Sequence, residues 1–146
     1  NISLLGLIPG YESLERFDIL ITTEAVNKAL KTADFKGEID ELFEPGVLEL
    51  ILTISKGNPR LIMNYLTEVM ITASIEEAKP ISCELLHNTI AKELGDIFTP
   101  ERWDILTTLI SDKSLTGKRD EEIEYLCERG YIAKFSDDPK RFKLLL

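Results

Sequence analysis

Between two long apolar segments of helical period the chain reads Ser55-Lys56-Gly57-Asn58-Pro59-Arg60, and these residues suit successive steps in ending one helix and starting another. Gly57 fits the left-handed backbone that closes a helix, Asn58 can N-cap the next, and Pro59 suits its first position, where the missing N–H would have had no partner. The order predicts a tight helix-to-helix turn with Arg60 held on the first turn of the second helix. A guanidinium in that place, beside the helix's own free N–H groups, is set to meet an anion, and phosphate is the ligand whose geometry it matches best. The plainer expectation is a solvated arginine on a structural turn.

Helical patterns dominate on both sides. Thr22 or Thr23 can cap a helix with the stripe Ala25, Val26, Ala29, Leu30 and Ala33, and Pro45 is expected to open a second carrying Val47, Leu48, Ile51, Leu52 and Ile54. The third runs from Pro59 to about Ser74, with Ile62, Tyr65, Leu66, Val69 and Ala73 on one face. A fourth is capped by Ser82, places Leu86, Ile90 and Leu94 four apart, and ends at Gly95. Short helices of this kind bury their stripes against one another, so residues 22–96 read as a four-helix bundle. Thr99-Pro100 then restarts the chain with Trp103, Leu106, Leu109 and Ile110 facing inward. A last helix over about Asp120 to Arg129 closes at Gly130, and two strand-like runs, Tyr131 to Phe135 and Arg141 to Leu146, flank the turn residues 136–140. The expected fold is mainly α, a bundle followed by a winged-helix-like domain over residues 97–146 with a C-terminal β-hairpin.

Composition narrows the function classes. The 146 residues are 44% hydrophobic, enough for a real core. The apolar run from Ile2 to Ile8 is broken by Gly6, stops at Pro9 and lacks a basic flank, so neither a membrane span nor a signal peptide is indicated, and a cytoplasmic location is expected. Cys83 and Cys127 form no CxxC pair and are matched by one histidine, His87; they read as core-facing thiols, and no metal site is expected. The net charge of −9 argues against a general nucleic-acid binder, but it is unevenly placed: residues 1–96 carry 8 Lys+Arg against 16 Asp+Glu, residues 97–146 carry 9 against 10. The chain begins at Asn1 rather than methionine, which suggests a piece of a longer parent.

The segment Phe43-Glu44-Pro45 through Ile54-Ser55-Lys56-Gly57-Asn58-Pro59-Arg60-Leu61-Ile62 resembles the lid of AAA+ ATPases, nearest to the ExeA-like and transposition-helper ATPases and more loosely the archaeal origin-recognition initiators. The resemblance implies that Arg60 is the sensor-two residue reaching the terminal phosphate of a nucleotide, with Gly57, Asn58 and Pro59 forming the turn that positions it. It implies that residues 1–21 are a remnant of the ATPase core strand and a linker, that residues 22–96 are the lid, and that Leu126-Cys127-Glu128-Arg129-Gly130-Tyr131-Ile132 ends a winged-helix recognition helix. No G-x-x-x-x-G-K-[ST] loop and no strand ending in paired magnesium-binding acids occurs in the chain. Alone it is not expected to be an enzyme or to hold a cofactor; ATP and magnesium belong to the full-length parent, whose N-terminal core is the first expected partner.

Lys118, Arg119, Lys134, Lys140, Arg141 and Lys143 are candidates for a basic wing that contacts DNA phosphate. The acidic last helix, with Asp120, Glu121, Glu122, Glu124 and Glu128, repels DNA and favours a protein partner. Two other functions remain open at this level. One is a stand-alone winged-helix DNA-binding regulator; the other is an interaction scaffold that dimerises through Ile2 to Ile8 and Phe17 to Ile21, strand-like runs with bare edges.

Overall fold

The segment VLELILTIS forms helix α1 (Val47–Ser55), and eight of its nine residues are buried. A helix apolar on nearly every side belongs at a centre rather than at a surface, and α1 touches α2 (Pro59–Glu76), α3 (Cys83–Leu94) and α4 (Pro100–Ile110). The stripe expected from the sequence missed Leu50, Thr53 and Ser55, which are buried as well. The Thr53 hydroxyl is satisfied by the carbonyl of Leu145 (3.2 Å) and that of Ser55 by the carbonyl of Leu52 (3.1 Å), so neither buries an unpaired polar group. The computed structural model describes Glu24, Asn27 and residues 39–77, 80–111, 113, 115, 119–137 and 140–145. The expected core-strand remnant over residues 1–21, the strand-like runs within it and most of the first lid helix lie outside the described residues.

The helix beginning at Pro45 in the sequence begins instead at Val47. Pro45 and Gly46 form a turn in which Gly46 takes φ 93°, a left-handed N-cap with no side chain to offer. Just before it, a single helical turn (Ile39–Leu42) leads into Phe43, which forms an isolated parallel bridge with Ile81. The Ile81 N–H donates to the Leu42 carbonyl (2.7 Å) and the Glu44 N–H to the Ile81 carbonyl (2.9 Å). Both Phe43 and Ile81 are buried.

α2 follows its expected face, with Ile62, Tyr65, Leu66, Val69 and Ala73 buried, and runs one half-turn further than Ser74. α3 is capped by Ser82, whose hydroxyl accepts from the Leu85 N–H (3.1 Å). In α4, Thr99 caps and Pro100 takes the first position, as the sequence predicts, but Ile105 joins Trp103 and Leu106 in the core while Leu109 and Ile110 are half-buried. Helix α5 (Asp120–Glu128) buries Leu126, and Gly130 at φ 81° turns the chain into the hairpin. Strands β1 (Ile132–Asp137) and β2 (Lys140–Leu144) pair antiparallel, Ile132 opposite Leu144 and Ala133 opposite Lys143, with a slip in register between Lys134 and Ser136. The fold is mainly helical with a small two-stranded hairpin at the C-terminal end.

One hydrophobic cluster contains Leu50, Ile51 and Leu66 from one side of residue 96 and Phe98, Trp103, Leu126 and Ile132 from the other. Phe98 stands edge-on to Tyr131 (centroids 4.9 Å) and Trp103 (6.2 Å). Arg102 ties the same junction: its Nη1 donates to the carbonyls of Asp96 (3.2 Å) and Ile97 (2.9 Å), its Nε pairs with Glu122, and its Cζ lies 3.5 Å from the centre of the Tyr125 ring.

Candidate functional site

Gly57 is left-handed at φ 73°, as the sequence predicts, and Lys56 before it is left-handed as well, at φ 55°. A side chain in that region costs about 1 kcal/mol or more. Lys56 recovers part of it by laying its ammonium 4.9 Å from the centre of the Tyr131 ring, a contact of about 0.5–1 kcal/mol that joins the turn to the start of the hairpin. The Gly57 N–H donates to the Leu52 carbonyl (3.2 Å), the Lys56 N–H to that of Thr53 (3.3 Å) and the Asn58 N–H to that of Ser55 (3.1 Å), so three of the last four carbonyls of α1 are in use.

Asn58 then takes over as N-cap. Its Oδ1 accepts from the N–H groups of Arg60 (3.0 Å) and Leu61 (3.3 Å), and its carbonyl accepts from Ile62 (3.0 Å). Pro59 has no N–H. The expectation of free backbone donors beside Arg60 is therefore corrected: the cap consumes them, and on the first turn of α2 an anion would meet the guanidinium rather than backbone N–H groups. Arg60 is exposed, and no carboxylate pairs with it among the described residues. Replacing Asn58 by Ala should cost about 1 kcal/mol, while Asn58→Asp retains most of the stability; urea unfolding of the two variants separates cap loss from a general effect of substitution at the turn.

Of the six basic residues assigned to the wing, two are engaged by carboxylates. Arg119 pairs with Asp104 (2.6 Å) and Lys134 with Asp137 (2.6 Å). The hydrogen bond from Lys134, with its charge, holds the Asp137 carboxyl below the usual range. Lys118 lies outside the described residues. Lys140, Arg141 and Lys143 remain, all exposed on β2 and without a carboxylate partner among the described residues. Of the acids on α5, Glu122 is engaged by Arg102, while Asp120, Glu121, Glu124 and Glu128 are exposed.

The other chemically capable residues are occupied structurally. His87 stacks on Trp103 (centroids 4.9 Å, 11° between planes), and its Nε2 lies 2.7 Å from the Phe98 carbonyl. A carbonyl only accepts, so Nε2 carries the proton. Burial pushes both cysteine thiols up, with Glu44 and Glu49 adding to the effect at Cys83, so neither is activated as a nucleophile. Among the described residues no group of three or more His, Cys, Asp or Glu is placed to hold a metal ion, and no helix is long and apolar enough to cross a membrane.

Two features escaped the sequence reading. Arg102 carries no motif, and its role as a staple depends on Glu122 and Tyr125 arriving from another helix. Phe135, in a run read as plain strand, sits at the register slip and is 55% exposed; a bulge leaves no mark on an alternation this short. Comparison of the chain with protein-family models, with curated proteins and with solved structures finds no match.

Proposed function

We propose that this chain is the nucleotide-responsive lid and output region of an AAA+ ATPase, with Arg60 meeting the terminal phosphate of a nucleotide held by the rest of the parent protein. One observation carries the reading. The N–H groups of Arg60 and Leu61 are consumed by Asn58 and those of Gly57 and Asn58 by carbonyls at the end of α1, and the Arg60 guanidinium is left exposed with no carboxylate partner among the described residues. The resemblance of the Gly57-Asn58-Pro59-Arg60 turn to the sensor-two turn supplies the ligand. A charge-assisted hydrogen bond of this kind contributes about 1.5–3 kcal/mol, enough to bias lid closure and too little to hold a nucleotide unaided. The mainly helical fold and the hairpin suit a lid followed by a winged-helix-like output domain, and the Lys56–Tyr131 contact offers a direct mechanical link from the turn to that domain.

The test is made in the parent ATPase. Arg60→Ala should lower ATP hydrolysis by roughly 10-fold or more, the loss expected when a contact of that size is removed from the transition state, with the unfolding midpoint unchanged. Arg60→Lys should keep part of the activity, since it retains the charge without the fork. Hydrolysis by Arg60→Ala within twofold of the unsubstituted protein would sink the assignment, as would a parent sequence with no phosphate-binding loop upstream of Asn1.

A further inference from the structure

A groove of about 1230 Å³ runs between the hairpin, the N-terminal end of α1 and the adjoining ends of α4 and α5. Every residue of β2 lines it. Successive residues of a strand point to opposite faces, and the groove takes in residues of both. β1 pairs with one edge of β2, and among the described residues nothing pairs with the other. Its floor is apolar, built from Leu109 and Ile110 of α4, Ile123 of α5 and Phe142 of β2. The bulge aims Phe135 at the same space, as bulges near binding sites do, and an exposed aromatic there is a ready anchor.

The rim is positive in a chain whose net charge is −9. Lys113, Lys140, Arg141 and Lys143 border the groove, all exposed and none paired with a carboxylate among the described residues; of the described acids, Glu49 and Asp120 reach it. The geometry points to a docking site in which an extended, acidic segment of a partner protein adds a third strand to β2. The partner's backbone satisfies the open N–H and C=O groups of the edge, alternate apolar side chains fill the floor, and the intervening carboxylates meet the basic rim. A nucleic acid fits less well, because phosphate oxygens accept from the open N–H groups of a strand edge but donate nothing to its open C=O groups, and the backbone has no apolar side chains to fill the floor. The site makes no use of Arg60, so this inference and the nucleotide-sensing reading stand or fall separately.

Fluorescein-labelled peptides of about eight residues, a typical strand length, in which Val or Ile alternates with Asp, Ser or Lys, are titrated against the whole chain and followed by anisotropy. The Asp peptide should bind at least 10-fold more tightly than the Lys peptide, with the Ser peptide between them and the preference shrinking as salt is raised. The triple variant Lys140→Glu, Arg141→Glu, Lys143→Glu should reverse the order, and Phe135→Ala should weaken the Asp peptide by 5-fold or more, both with unchanged circular dichroism. Amides of β2 that are not bonded to β1 should exchange freely in the chain alone and become protected with the peptide. Equal binding of the three peptides, no binding, or displacement of the Asp peptide by single-stranded DNA at equal concentration would overturn the proposal. So would protection of those amides before any peptide is added, which would show that the chain itself covers the edge.

Discussion

Phe98→Ala should destabilise the chain by about 3–5 kcal/mol, the range for emptying an aromatic site in a packed core. Phe98 is 1% exposed and stands where the end of α3, the start of α4 and the beginning of β1 converge. Its ring meets Tyr131 and Trp103 edge-on, and its carbonyl accepts a hydrogen bond from His87 Nε2. An alanine leaves a void bounded by two aromatic rings whose own positions are fixed, Trp103 by its hydrogen bond to the Cys83 carbonyl (3.1 Å) and its stack on His87, Tyr131 by Lys56. The site therefore collapses poorly, which places the cost high in the range. Urea unfolding followed by far-ultraviolet circular dichroism and by Trp103 fluorescence should give coincident transitions in both proteins, because one core crosses residue 96. A cost below about 1.5 kcal/mol, or two separate transitions, would show that the helices before residue 96 and the elements after it are packed more independently than their shared contacts imply. Against Tyr131→Leu, a double-mutant cycle should return about 0.5–1.5 kcal/mol for the edge-to-face pair.

The sequence is clearest at caps and punctuation. Asn58-Pro59, Ser82 and Thr99-Pro100 each open the helix expected of them because the signal is local: a side-chain acceptor followed by a residue that gives up or lacks an N–H. Burial faces are legible where a helix has one wet side, as in α2, and fail where it has none. In α1 only Glu49 is charged, so periodicity could not announce that Leu50, Thr53 and Ser55 are covered too. Long-range partners leave no periodic mark. The pairing of Arg119 with Asp104 removes one residue from the basic wing, and that of Arg102 with Glu122 takes one acid from the face of α5; both depend on α4 and α5 lying side by side. At the candidate site the same division holds. The turn that presents Arg60 was readable residue by residue, whereas the fate of its backbone donors followed from a single rotamer of Asn58, which caps two of them at once.

Gly46→Ala should cost about 2–5 kcal/mol, from two independent sources. At φ 93° any side chain is strained, worth about 1–2 kcal/mol. A Cβ there would also lie 2.3 Å from Ile110 Cγ2, an overlap that forces the off-rotamer shifts or backbone movement that typically cost about 1–3 kcal/mol. Ile110 is β-branched and has little freedom to swing its methyl aside, and its Cβ stands only 3.6 Å from the same point. The two sources separate in a double-mutant cycle with Ile110→Ala. Removing Cγ2 abolishes the collision and leaves the backbone strain, so the double variant should be more stable than the sum of the single losses by about 1–3 kcal/mol. Strict additivity would mean that the Gly46 turn shifts as a whole and that the approach of α1 to α4 is looser than its spacing indicates. The result also bears on function, since Gly46 and Ile110 both line the groove beside β2. The absence of a side chain at Gly46 lets α4 close against the start of α1, and that closure sets the width of the floor on which an added strand would lie.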